Sequence, residues 1–317
     1  MMIKPTKIHD GTFFMPSPVP HGWRKFVYDP ENRVFEIGDD FNIRHCGKLD
    51  GVVAKGSMGR VSFHPRKELA AFATEGGMAV SDFCGNHLWE YEAPVAALLF
   101  SQSGDEIWIA ENIDKEKLLI SVVDAESGME NSANTMEDSL YESSLSLCHA
   151  PQTVLLELAA GQDGCEIWEL DDTNAAMSHR VVFPDYCHIM PAFHPDGKRL
   201  LTLENGELLF YSYTWPDAAV VAKQREFTEV EQEGEETYPG YSIVYLKNGL
   251  AIVQSCTDRL YLFDPKKMER LEELVIEGVE PVQVFTRFGD VLAATTSRYA
   301  RNQAIALFAE DELIKLI

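Results

Sequence analysis

Short apolar runs recur along the chain, separated by clusters of Gly, Asn, Asp, Pro and charged residues, as in "AIVQS" (251–255), "RLYLF" (259–263) and "EIWEL" (166–170). β-Branched and aromatic residues dominate these runs, and their brevity and punctuation predict strands rather than helices. One stretch reads differently: "KKMERLEELV" (266–275) sets Met268, Leu271 and Val275 at helical spacing, so a short helix competes there with a strand.

The strands come in repeating groups. "FHPRKELAAFATEGGMAVSDF" (63–83) and "FHPDGKRLLTLENGELLFYSY" (193–213) each open on Phe-His-Pro, pass through polar residues into an apolar run, turn on Glu and Gly, and end on an aromatic residue. Segments 98–128, 145–172, 241–265 and 282–311 share the rhythm of strand, tight polar turn, strand, polar loop and third strand. With first strands near Gly59, Val95, Ser143, His188, Gly240 and Glu280, the intervals run from about 36 to 52 residues, the size of one four-stranded propeller blade. Six units cover 59–317, and strands within 24–49 supply a seventh. The expected fold is all-β: one seven-bladed β-propeller of four-stranded antiparallel blades, spanning approximately 1–50, 51–94, 95–141, 142–186, 187–239, 240–279 and 280–317. A pair of β-sandwiches would also show many short strands. The two Phe-His-Pro turns, 130 residues or about three blades apart, favour the propeller.

Phe193-His194-Pro195-Asp196-Gly197-Lys198 resembles the Phe-Ser-Pro-Asp-Gly turn between the first two strands of WD-repeat blades, and "VVDAESG" (122–128) resembles the Trp-Asp end of their third strand. The chain therefore resembles a divergent WD-repeat-type β-propeller, without the paired Gly-His and Trp-Asp signatures in any blade.

A length of 317 residues, 45% of them hydrophobic, suffices for a substantial core. The N-terminal "MMIKPTKIHDG" does not read as a signal peptide, and no run of about 18 apolar residues predicts a membrane span, so a cytoplasmic protein is expected. Cys46, Cys84, Cys148, Cys165, Cys187 and Cys256 lie far apart without a C-x-x-C pair, and are expected to be free and mostly buried. A net charge of −24 argues against nucleic acid or an anionic membrane as partner, because phosphate binding needs clustered Lys and Arg.

Candidate chemistry is sparse. His64, His194 and His149 (in "LCHAPQ") recur at one place in the repeat, which suits a turn residue capping backbone groups better than a catalytic group. In a strand, neither Cys148-His149 nor Cys187-His188 can present both side chains to one metal, since neighbouring residues point to opposite faces. Propeller hydrolases and lactonases hold a divalent cation with Glu, Asp and Asn where the innermost strands begin; here only Glu142 is an oxygen ligand of that type. Such an enzyme is the alternative reading, and no cofactor is implied.

The acidic segments weigh more. "MENSANTMEDSLYE" (129–142) and "EFTEVEQEGEETYPG" (226–240) read as long interblade loops on one face. They carry Glu130, Glu137, Asp138 and Glu142 in the first and Glu226, Glu229, Glu231, Glu233, Glu235 and Glu236 in the second. Tyr238 and Tyr241 stand beside the second as aromatic anchors, and Glu75, Glu111, Asp114, Asp163, Glu204 and Asp258 fall in shorter loops of the same face. The expected function is non-catalytic: an intracellular propeller, monomeric or part of a hetero-complex, recognising a basic protein partner as a scaffold or as an immunity-type neutraliser of a toxin. Residues within 1–35 are expected to pair with the blade containing 303–317, and acidic residues 309–312 to form a loop.

Overall fold

In the computed structural model, residues 1–16, 19–50, 60–138, 140, 143–160, 164–171, 178–183, 190–204, 209–225, 229–230, 236–237, 239–255, 259–279, 281–296 and 303–317 are described. Strands come first with β1 (Met2–Ile3) and β2 (Lys7–Asp10). Four sheets follow: β3 (Phe26–Tyr28), β4 (Arg33–Ile37) and β5 (Ile43–Lys48); β6 (Val61–Phe63), β7 (Leu69–Ala73), β8 (Met78–Asp82) and β9 (His87–Tyr91); β10 (Ala97–Phe100), β11 (Glu106–Asn112), β12 (Lys117–Asp124) and β13 (Glu130–Glu137); β14 (Ser144–Ala150), β15 (Thr153–Ala159), β16 (Cys165–Asp171) and β17 (Ser178–Val181). Then come β18 (Ala192–Phe193), β19 (Arg199–Glu204), β20 (Leu209–Thr214) and β21 (Val220–Arg225), a ribbon of β22 (Glu229–Val230) and β23 (Glu236–Thr237), then β24 (Pro239–Tyr245), β25 (Ala251–Ser255), β26 (Leu260–Asp264) and β27 (Glu269–Ile276). The last sheet holds β28 (Val282–Phe288), β29 (Val291–Thr296) and β30 (Ala304–Ala309), and helix α1 (Glu310–Leu316) ends the chain.

Apart from the β22–β23 ribbon, the sheets are the blades of a seven-bladed β-propeller, each built on an antiparallel meander. The chain divides into two compact units: residues 13–184 hold blades 1 to 4, and residues 1–12 with 185–317 hold blades 5 to 7.

In the 13–184 unit, the second and third strands of blade 2 are almost wholly buried, because each has a sheet partner on both sides and neighbouring blades on both faces. Phe72 and Phe100 are fully buried, each side chain stabilising the fold by about 1.5–3 kcal/mol. Blade 1 shows three strands among the described residues, and Phe14 bridges the free edge of β3 through Phe14 N to Tyr28 O (2.7 Å) and Tyr28 N to Phe14 O (3.2 Å).

The outermost strand of a blade has one sheet partner and faces water, so its sequence can be polar, as in the "ENSANTME" of β13. Five outer strands also carry a bulge. In the pairs β4–β5, β8–β9, β12–β13, β20–β21 and β26–β27 the register slips by one residue, leaving Cys46, Leu88, Asn131, Val221 and Leu271 unopposed. Bulges increase the twist of an edge and blunt it against further pairing. They also explain why Leu88, Val221 and Leu271 are exposed although aliphatic. The slip at Leu271 breaks the two-residue period that marks a strand, which is why 266–275 looks helical in sequence; β27 occupies that stretch instead.

In the other unit, β2 pairs antiparallel with β30 and completes blade 7, as expected of residues within 1–35. β1 runs parallel to β27 as a fifth strand of blade 6, which the sequence did not suggest. Residues 310–316 form α1, where 309–312 was expected to be a loop. Glu310, Asp311 and Glu312 in the first turn and Lys315 in the last match the helix dipole, and the side chain of Leu313 enters the core of blades 6 and 7. Fully buried Glu310 accepts hydrogen bonds from Arg287 Nη1 (2.9 Å), Arg287 Nη2 (2.7 Å) and Lys247 N (2.7 Å), while Arg287 Nη2 also donates to Tyr245 O (2.8 Å).

Candidate functional site

The Phe-His-Pro turns do structural work, as their recurrence suggests. His64 Nδ1 accepts from Arg66 N and Lys67 N, both at 3.0 Å, and His194 Nδ1 lies 3.1 Å from Asp196 N as acceptor. Each ring also meets, edge-on, an aromatic side chain from the first strand of the next blade: His64 with Phe100 at 5.4 Å, His194 with Tyr245 at 4.9 Å. Blade 3 has Ser101 in the corresponding place, and Ser101 Oγ accepts from Glu106 N at 3.2 Å. Burial drives the His64 pKa down to about 4, so the ring is neutral and can accept.

His149 does not belong to this set. It lies inside β14, opposite Val154, and its buried ring nitrogens have no hydrogen-bond partner among the described residues; burial lowers its pKa to about 3. Its ring packs edge-on against Trp23 at 4.8 Å. The position matching His64 is Ala150, before Pro151, so "LCHAPQ" is shifted by one residue relative to the turns. Glu142 and Cys187-His188 lie outside the described residues, among which no cluster of three or more His, Cys, Asp and Glu side chains is arranged to hold a metal.

The third strands end on recurrent aspartates. Asp82 Oδ1 accepts from Cys84 N and Asn86 N, Asp124 Oδ1 from Glu126 N and Ser127 N, and Asp264 Oδ1 from Lys266 N and Lys267 N. Asp124 belongs to the "VVDAESG" stretch, and there the WD-like feature is a turn cap.

The acidic residues divide. Segment 129–142 is mostly not a loop: Glu130 and Glu137 are the first and last residues of the eight-residue β13. At about 3.4 Å per residue they stand roughly 24 Å apart, at opposite ends of the blade. Asp138 is buried, accepting from Leu140 N (3.0 Å), Ser143 N (2.8 Å) and Ser143 Oγ (2.8 Å), so it holds the connection to blade 4 and does not face outward. Glu111 is buried as well, at the end of β11, where it accepts a 2.5 Å hydrogen bond from Tyr91 Oη. What remains exposed at the end of this unit that carries the second-to-third-strand loops is Glu75, Asp114, Glu116 and Glu137, with Glu92 in the connection after β9.

In the other unit, Glu229 and Glu236 lie on the β22–β23 ribbon, opposite Thr237 and Val230. Tyr241 lies in β24. Glu231, Glu233, Glu235, Tyr238, Asp163 and Asp258 fall outside the described residues, as do the side chains of Glu204, Glu229, Glu236 and Tyr241. Cys46, Cys84, Cys148 and Cys165 form no disulfide; Cys148 and Cys165 are buried, Cys46 is half-buried and Cys84 is exposed, fewer buried than expected. Among the described residues, no helix is long and apolar enough to cross a membrane.

No protein-family model and no curated protein sequence matches the chain. Among solved structures it is similar to the β-propeller domain of Cps50 (Swd1) from Myceliophteria thermophila, with a TM-score of 0.62 and 12% identity, over 96% of this chain and 99% of that one. The chain has the β-propeller fold, and its His64 turn and Asp124 strand-end cap resemble the turns and caps of WD repeats without the signature dipeptides.

Proposed function

We propose that this propeller is a non-catalytic protein-binding module whose acidic loops recognise a basic protein, as a scaffold subunit or as the neutralising partner of a basic toxin. One observation carries the reading: a net charge of −24 combined with Glu75, Glu92, Asp114, Glu116 and Glu137 exposed at one end of blades 2 and 3. Such a field attracts a basic partner and raises its association rate more than its final affinity. WD-repeat-like propellers commonly serve as interaction scaffolds, which supports the same reading. The acidic residues of 226–240, with Tyr238 and Tyr241, are proposed as a second acidic surface, carried by the unit of residues 1–12 and 185–317.

Affinity capture from the native source, followed by kinetics with the captured protein, tests it. Replacing Glu229, Glu231, Glu233, Glu235 and Glu236 by Gln, and separately Asp114, Glu116 and Glu137 by Asn or Gln, is expected to slow association. The wild-type rate is expected to fall steeply with salt as the Debye length shortens below about 10 Å. Unchanged association rates in both sets across low and high salt refute the acidic surface.

A further inference from the structure

Glu111 is a carboxyl group buried at the boundary of two blades. It lies in β11 of blade 3, is 6% exposed, and among the described residues no cation pairs with it. Its hydrogen-bond partner, Tyr91 Oη at 2.5 Å, comes from the end of β9, the outer strand of blade 2, and Tyr91 packs on the apolar cluster shared by these blades. The groups acting on this pair are few. From β13 comes Glu130, a like charge, and from β12 the buried Ser121, whose hydroxyl lies beside the Tyr91 phenol. A buried carboxylate with a like charge in its field and one phenol as donor is poorly compensated, whereas the neutral acid loses little on burial.

We propose that Tyr91 and Glu111 form a protonation-sensitive clamp between blades 2 and 3, tighter when the carboxyl carries its proton. Burial raises the Glu111 pKa, the Tyr91 hydrogen bond lowers it and Glu130 raises it, for a net upward displacement; burial holds Tyr91 at about 12, so the phenol keeps its proton throughout. The sign follows. A carboxyl whose folded pKa lies above its unfolded value stabilises the fold fully at pH below the unfolded value near 4.3, and this contribution is lost as pH rises through the folded value. Tyr91 and Glu111 stand at the roots of the connections bearing Glu92, Asp114 and Glu116, so the clamp sets how firmly those segments are held.

The test is the thermal unfolding midpoint of the full chain from pH 5 to pH 9 for wild type, Glu111→Gln and Tyr91→Phe. Glu111→Gln keeps the shape without the charge. It is expected to melt several degrees above wild type at pH 8 and to converge with it at pH 5. Tyr91→Phe removes the donor and is expected to steepen the loss of stability with rising pH. A wild type and Glu111→Gln differing by the same amount at every pH, or the variant melting lower at pH 8, overturns the clamp. Should Glu111→Gln fail to fold, carboxyl ¹³C NMR of wild-type protein labelled at glutamate decides the matter. One carboxyl titrating above the ordinary glutamate range is expected, and titration of every glutamate within that range overturns the proposal.

Discussion

Replacing Arg287 by Met is expected to remove a large part of the stability of the 185–317 blades. The Glu310 carboxylate is fully buried and takes two of its three short hydrogen bonds from Arg287, leaving Lys247 N at 2.7 Å and the Lys247 ammonium at 3.7 Å as its remaining partners. Removing one member of a buried pair leaves an under-compensated charge and costs about 3–5 kcal/mol. At about 2–4 °C per kcal/mol this lowers the melting midpoint by roughly 6–20 °C. The double variant Arg287→Met/Glu310→Met removes both charges and is expected to recover much of the loss, because a buried ion pair replaced by apolar groups is often near neutral. Urea unfolding of the wild type, both single variants and the double variant gives the coupling energy. An Arg287→Met loss below about 1 kcal/mol, or a double variant no better than the worse single one, means that α1 is held by Leu313 packing and not by this pair.

Gly104 has φ +85°, and a Cβ there would sit 2.6 Å from His64 Nε2; Gly104→Ala is expected to cost at least the roughly 1–2 kcal/mol of a left-handed L-residue, and a denaturation midpoint within error of wild type contradicts the turn-to-turn contact. Because burial holds His64 near 4 while the unfolded ring titrates near 6.5, the unfolded chain takes up a proton that the folded chain refuses. Stability contributed by neutral His64 is therefore lost as pH falls through that window, by at most about 1.4 kcal/mol per pH unit. His64→Ser, the residue blade 3 uses as Ser101, is expected to flatten this part of the curve, and identical wild-type and variant slopes argue against it. A thiol reagent is expected to label Cys84 in the native protein and Cys148 and Cys165 only after unfolding, since Cys148 and Cys165 are buried; mass-mapped labelling of Cys148 without denaturant contradicts that placement.

The repeat was legible because its turns demand particular chemistry. A tight turn after the first strand needs a side-chain acceptor for its own amides, and His64, His194 and Ser101 all provide one. "LCHAPQ" misleads because a histidine one residue away from the turn looks the same in sequence and serves as buried packing beneath Trp23. The outer strands were hard to see for a different reason: with one ladder partner and a solvated face they need no apolar run, so β13 passes for a loop. The acidic surface was legible only as charge. Sequence cannot separate exposed Asp114 from buried Glu111, since burial of Glu111 depends on Tyr91 arriving from another blade.

The N-terminal strands impose an order on assembly. Met2 pairs with Val275, and Lys7 with Leu307, so β1 and β2 wait during synthesis for partners about 270 and 300 residues downstream. At about 5–20 residues per second on the ribosome, that wait is roughly 15–60 s. Throughout it β1 and β2 lack the ladders they form in the finished fold, and blades 6 and 7 are completed by a segment made well before them. The rate at which full-length chains become protease-resistant is then set by this late docking, and a substitution in residues 2–10 can slow maturation even where it barely alters the finished fold.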